Sequence, residues 1–324
     1  MKKISAFIIL SIVLVSCYED YIKDYGYSAV YFTHQIDVRT VVVGEGLKIK
    51  IGVGLGGVMR NTIDRNVNFN LDNSLITSQI LSDMKASSES YIKNSVTGVA
   101  SLLPLPSNYY TLSNTSTIVI KSGSHSGSIT LNVDSSAFLA DPATIRATFA
   151  LPLNLTSAEA DSILDPMRYS VIGLKYENML FGNYFHGGVT TVKDAGGATI
   201  ATVPYYTAIN QAIAQSWTLT TVAPNALATN GYSDKTSPTK KELILTLNGT
   251  DIAVSTAAGS TNTYLPSGSS TFNKAKLLQD RKIFLNYQYV VGANTYYCQD
   301  TLTFRNRIRD GVNEWQDENP SHYK

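Results

Sequence analysis

Cysteine is almost absent from this chain of 324 residues, which holds only Cys17 and Cys298. Two cysteines build no disulfide framework, so the fold has to be held by its cores. Charge is scarce too. Asp, Glu, Lys and Arg make up 16% of the chain, and the formal net charge is +1. A near-neutral protein has no global attraction for nucleic acid, so no nucleic-acid partner is expected. The four histidines, His34, His125, His186 and His322, stand at no metal-ligand spacing, and no His-Glu-x-x-His motif occurs. Neither a metal nor a cofactor is therefore expected. The N-terminal apolar run, Ile4 to Val15, has twelve residues, whereas a membrane-spanning helix needs about twenty.

Catalytic signatures are also missing. Gly52-Val53-Gly54-Leu55-Gly56-Gly57 has the glycines of a dinucleotide loop, but it lies inside a period-two pattern. No helix start follows it to receive phosphates. Gly123-Ser124-His125-Ser126-Gly127 looks like a nucleophile elbow with histidine in the serine position, and reads instead as a hairpin turn. Asp161, Asp165 and Glu177 are acids of the kind that glycoside hydrolysis needs in pairs. They fall on an expected helix, a turn and a linker, with nothing to hold them in one cleft. The chain is accordingly expected not to be an enzyme.

What the chain does contain is alternation. Leu47, Ile49, Ile51, Val53 and Leu55 alternate with Lys48, Lys50, Gly52 and Gly54. Val67 to Leu71, Ile129 to Val133 and Ile145 to Leu155 repeat the pattern. One buried and one wet face per strand is the mark of antiparallel sheets. Residues 28–170 read as an immunoglobulin-like β-sandwich. Residues 73–93 interrupt it with apolar spacings of three and four, which predict a short helix. Thr156-Ser157-Ala158-Glu159 reads as a capping box opening another short helix to Leu164. Residues 171–324 read as a β-barrel or meander with minor helices, one of them near Thr207 to Gln215. Asn248-Gly249 marks a two-residue hairpin turn there. The fold class expected is all-β. Arg305, Arg307 and Arg309 alternate on one expected strand and so should share a face, paired with nearby acids. Cys298 is expected to be a small buried hydrophobe, and Trp315 to plug the end of the second half.

The N-terminus carries an address. Lys2 and Lys3 precede the apolar run, and Leu14-Val15-Ser16-Cys17 ends it. This resembles the lipobox of bacterial lipoproteins, in which the signal is removed and the cysteine is acylated. Residues 1–16 are then a signal peptide, residues 17–27 a tether and Cys17 the lipidation site. Cleavage removes Lys2 and Lys3 and takes the formal charge from +1 to −1. Tyr18-Glu19-Asp20-Tyr21 places acid behind the cysteine, resembling the surface-export signal of Bacteroidetes lipoproteins. The localisation this implies is the outer membrane, lipid-anchored and facing the cell exterior.

Twenty tyrosines supply flat apolar faces with a polar edge. Sugars present C–H faces rimmed by hydroxyls, so aromatic stacking with amide and carboxylate partners is a recipe for glycan capture. Tyr205, Tyr206, Trp217, Tyr232 and Tyr264 lie in or beside expected loops of the second half, and His186 sits in a glycine-rich aromatic stretch. These six are the candidate glycan-binding residues. For each aromatic, packing in a sheet is the alternative, and for His186 a satisfied or solvent-facing imidazole.

Thr148 to Ala158, Lys175-Tyr176-Glu177-Asn178, Phe181-Gly182-Asn183-Tyr184, His186-Gly187-Gly188 and Asp300 to Gly311 together resemble a family of Bacteroidetes surface lipoproteins. That family pairs an immunoglobulin-like N-terminal domain with a β-rich C-terminal domain. Gly182 to Tyr184, opening a meander that closes on arginines, is also similar to a lipocalin. The resemblance implies a non-catalytic protein that binds a polysaccharide or oligosaccharide beside an outer-membrane importer complex. Two alternatives stay open: a structural or adhesive surface protein contacting protein partners, and a divergent glycoside hydrolase.

Overall fold

A computed structural model describes residues 26–205, 215–231 and 241–316. Cys17, Tyr206 and Tyr232, and the helix expected near Thr207, lie outside the described residues.

The alternating segments of the first half become β1 (Ala29–Tyr31), β2 (Ile36–Val43), β3 (Lys48–Gly56), β4 (Arg65–Leu71), β5 (Leu103–Pro104), β6 (Tyr110–Leu112), β7 (Thr117–Ile120), β8 (Ser126–Val133), β9 (Phe149–Ala158), β10 (Ser162–Ile163) and β11 (Tyr169–Asn178). They form one curled sheet in the order β10-β1-β3-β8-β7-β4-β9-β11-β2, with β5 and β6 attached to β9 and β8. The curl brings Ile49, Ile51 and Val53 of β3 against Leu151, Leu153 and Leu155 of β9 and Leu174 of β11 in one core. Alternation along β3 is strict, with isoleucine and valine inside and Lys48, Lys50 and Gly52 outside.

Between β4 and β5 the expected helix appears as two, α1 (Ser78–Ala86) and α2 (Ser90–Ser95). Thr77 caps α1, its Oγ1 accepting from the backbone N–H of Ile80 at 3.2 Å. Ile80, Leu81, Met84 and Ile92 pack on Val38, Ala150 and Val171. The helices thus cover the outer face of β2, β9 and β11, which explains why β9 is buried on both faces.

The capping box at Thr156 does not open a helix. Ser157 and Ala158 pair with Asn68 and Val67 of β4 across a bulge, and Glu159 accepts from the backbone N–H of Asn66 at 2.8 Å. Cross-strand pairing outweighs a local signal of about 1 kcal/mol. The apolar segment from Tyr169 is strand β11, parallel to β2 as far as Asn178, so residues 171–178 pair within the first sheet.

The second half consists of β12 (Gly182–Lys193), β13 (Thr199–Tyr205), β14 (Gln215–Ala223), β15 (Ala226–Thr229), β16 (Leu243–Asn248), β17 (Asp251–Thr256), β18 (Leu265–Pro266), β19 (Ser270–Phe272), β20 (Lys282–Val291), β21 (Asn294–Arg309) and β22 (Val312–Glu314). Every pairing among them is antiparallel. The order runs β12-β14-β15-β16-β17-β19-β20-β21, and β21 pairs back on β12. That closure makes a barrel, the geometry that removes sheet edges. A ring of this size has room for side chains and little else. The turn at Asn248-Gly249 joins β16 to β17 as expected, with Gly249 at φ 65°. The chain is all-β in class, two large curled sheets with few helices.

Candidate functional site

Four of the six aromatic and imidazole candidates are described, and all four are buried. His186 is 1% exposed, Trp217 2%, Tyr205 8% and Tyr264 1%. They do not stand on loops open to a glycan. His186 and Trp217 belong to β12 and β14 and point into the barrel; Tyr205 ends β13 against Gly188. Tyr264 follows β17 but turns inward, its ring 5.8 Å from Tyr287 and 5.2 Å from Tyr289. Barrel closure gives the reason for His186 and Trp217, because every second residue of a strand in a closed ring faces the interior and both fall on that phase. Trp315 corrects another expectation: it is 58% exposed and plugs nothing.

Three of the four do meet one another. The imidazole of His186 stacks on Trp217 at 3.9 Å between centroids and tilts against Tyr205 at 5.0 Å. Its Nε2 lies 3.0 Å from Oδ2 of Asp300, close enough for attraction but not aligned as a hydrogen bond. Asp300 also accepts from the hydroxyls of Tyr205 and Tyr287, the latter at 2.8 Å. Burial and then the charge of Asp300 push both phenols well above their ordinary value, so they remain donors. Gly188 makes the approach possible. It pairs with both Tyr205 and Asp300 at φ 153°, and a Cβ there would sit 2.3 Å from the carbonyl oxygen of Gln299. The side chains of His186 and Asp300 are wholly buried. This cluster is a polar core of the barrel and offers no face to a sugar.

The open concavity lies in the first half, in a place the sequence reading passed over. A cleft of about 510 Å³ runs along the seam where the curled sheet brings β1 and β3 near β2 and β11, within the range of small-molecule sites. β1 pairs with β3 only opposite Gly54 to Gly56, so the edge of β3 from Lys50 to Val53 faces the cleft. Tyr31 forms one wall. Its half-buried ring lies over Gly54 and Gly56, where added Cβ atoms would stand 3.1 and 3.4 Å from it. An aromatic resting on a cross-strand glycine replaces the packing the glycine lacks.

The rim is pinned by hydrogen bonds. Phe32 donates its backbone N–H to Met167 at 2.8 Å, Gln35 donates its amide to the carbonyl of Phe32 at 2.9 Å, and Ser170 donates to the carbonyl of His34 at 2.7 Å. His125, on the turn from β7 to β8, has Nε2 3.0 Å from the carbonyl oxygen of Val58. The hairpin turn expected at Gly123 to Gly127 is therefore present and forms one side of the cleft. Gly127 is required there, since a Cβ would lie 2.4 Å from the carbonyl oxygen of Val119.

The lining mixes Tyr31 with His34, Asp37, Arg39, Lys50 and His125. Asp37 is its one carboxylate, so the lining does not set two carboxylates across a scissile bond. Among the described residues no group of three or more His, Cys, Asp and Glu is arranged to hold a metal ion. The arrangement suits reversible binding of a polar molecule with one apolar face. The signal that might have revealed it was the run Gly52, Gly54, Gly56 on the wet face of β3. Glycines in place of the usual β-branched residues mean that something approaches the backbone closely.

Residues 21–162 match the model of a family described as an N-terminal domain. No curated protein matches the chain. Among solved structures, a Bacteroides ovatus protein of unknown function has a TM-score of 0.63 at 21% identity, covering 90% of this chain and 98% of that one. A second B. ovatus protein of unknown function gives 0.44 at 13% identity over the same shares. EndoBT-3987 of Bacteroides thetaiotamicron, solved with a Man5GlcNAc product, gives 0.26 at 10% identity, covering 44% of this chain and 28% of that one. The first half is thus similar to an N-terminal domain family, and the whole described fold is similar to that of a Bacteroides protein.

Proposed function

We propose that this chain is a surface lipoprotein that captures glycans without cleaving them and passes them to a polysaccharide uptake system. The observation that carries the reading is the cleft at the seam of the first sheet. It is open, its rim is pinned, and it combines the half-buried ring of Tyr31 with a polar perimeter. An aromatic face with hydrogen-bonding neighbours on a rigid scaffold is what sugar rings require. The lipobox-like Leu14-Val15-Ser16-Cys17 and the acids after it support the lipid-anchored, outward-facing part of this reading. On this reading the first half binds, the barrel supports it, and the partners are an oligosaccharide and an importer complex.

The test has two parts. Calorimetry against a glycan panel should find a ligand whose affinity falls at least tenfold in Tyr31→Ala, with the fold intact by circular dichroism. A panel in which no glycan binds overturns the reading. Separately, cells labelled with a lipid precursor should acylate the full-length chain and not Cys17→Ala; equal labelling of both removes the anchor.

A further inference from the structure

We infer that the ligand of this cleft is an acidic saccharide, one whose carboxylate or sulfate is met by Lys50 and Arg39; this rests on the reading of the cleft as a glycan site. The inference starts from what each charged group in the lining already does.

Asp37, the only carboxylate there, is buried and occupied. It accepts from the hydroxyl of Tyr91 at 2.8 Å and from the backbone N–H of Val38 at 2.8 Å, and Arg39 stands 3.8 Å away. Tyr91 comes from α2, outside the sheet, so Asp37 ties α2 to β2 from the wall of the cleft.

The cations differ. Lys50 stands on the wet face of β3, exposed, with no ion pair among the described residues. Arg39 is held loosely. Its contacts to Asp37 and to Asp310 are 3.8 and 3.6 Å, longer than hydrogen bonds, and its Nε is buried without a hydrogen-bond partner. A guanidinium with unspent donors on a planar fork matches a carboxylate or sulfate better than a neutral hydroxyl. His34 and His125 add ring nitrogens to the same cleft. A neutral glycan would leave Arg39 unsatisfied in a partly closed site, which costs affinity. An acidic one satisfies it while its ring packs beside Tyr31.

Calorimetry on the full mature chain with three oligosaccharide sets tests this: neutral, uronate-containing and sulfated. Acidic ligands should bind at least tenfold more tightly than neutral ones of equal length, with an affinity that falls as salt rises. Lys50→Gln, on an exposed side chain with no ion pair among the described residues, should lose about tenfold on the acidic set and far less on the neutral set. The uronate and sulfate sets then tell which anion is recognised. Neutral ligands that bind as tightly as acidic ones, in a manner abolished by Tyr31→Ala, overturn the acidic assignment and leave the cleft reading standing. Silence from all three sets overturns both. Acidic binding that Lys50→Gln and Arg39→Gln both leave unchanged also overturns the assignment.

Discussion

The carboxylate of Glu45 receives both arms of the Arg307 guanidinium, at 2.9 and 2.7 Å, across 262 residues of chain. Glu45 sits in the turn between β2 and β3, and Arg307 near the end of β21. Arg281 adds a further bond to Glu45 at 2.6 Å and donates to the carbonyl of Met179 at 2.6 Å. Arg307 also reaches Glu314 and lies 5.0 Å over the ring of Phe181. The curled sheet and the barrel are therefore joined through a buried bidentate pair, and Val42 of β2 packs into the barrel's core cluster beside it.

That junction carries a pH prediction. Burial alone would raise the Glu45 carboxyl, but the bonds and charges of Arg307 and Arg281 outweigh it and hold the group below its ordinary value of 4.5. A depressed folded-state value means stability that is present above about pH 4.5 and lost as pH falls through the folded value. Glu45→Gln should cost about 3 kcal/mol at pH 7, because it removes the carboxylate paired with buried Arg281 and leaves Arg307 with Glu314 alone. In urea titrations the gap between wild type and variant should narrow steadily below pH 4.5. A constant gap from pH 7 to pH 3 would show that the charge of Glu45 is not what joins the halves.

The barrel's polar core predicts a separation of stability from binding. Asp300→Ala strands the hydroxyls of Tyr205 and Tyr287 and the imidazole of His186 in a closed interior. The expected loss is about 3 kcal/mol or more by chemical denaturation. Trp217→Phe should cost about 1 to 2 kcal/mol through lost packing on His186 and leave glycan affinity unchanged. A Trp217→Phe protein that is fully folded yet loses its ligand would move the binding site back into the barrel.

Gly188 is a third point of leverage. Any side chain there meets the Gln299 carbonyl at 2.3 Å and has to adopt φ 153°. Gly188→Ala should lower the melting temperature by several degrees, about 2 kcal/mol or more. Gly249→Ala, in a turn with open space around it, should cost less than half of that. Equal losses would mean that backbone conformation, not the close approach at Asp300, is the constraint.

Gly54 offers a control on the cleft. Gly54→Val drives a branched side chain into the ring of Tyr31, from 3.1 Å, without touching the charges of the lining. Glycan affinity should fall about as far as in Tyr31→Ala. Unaltered affinity in a folded Gly54→Val protein would show that the position of the ring does not matter.

Residue by residue, the legible part of this protein is its local part. Period-two runs such as Leu47 to Leu55 gave the strands, Asn248-Gly249 gave a turn, and the spacing over residues 73–93 gave helix, because each follows from side-chain direction along a few neighbouring residues. Cys298 is buried as its alternating surroundings required. The arginine run shows where that logic stops. Arg305 and Arg307 should share a face, yet Arg305 is exposed and Arg307 is buried. A bulge where Asn183 and Tyr184 oppose Asn306 and Phe304 reverses the phase between them, and the cause lies more than a hundred residues away in β12.

The candidate residues divide in the same way. Composition and alternation picked out His186, Tyr205 and Trp217 as unusual, and these three do gather in one place. Whether that place faces water was decided by β21 pairing back on β12, a contact between strands at opposite ends of the barrel segment. The cleft beside Tyr31 depended likewise on β1 ending opposite Gly54 and on the sheet curling to bring β2 and β11 near. By itself the sequence determined the all-β class and the phase of strands such as β3, since each rests on short-range chemistry. Ring closure, the bulge and the seam were settled only in the tertiary structure, where long-range pairing chooses which side of an alternating strand becomes the inside.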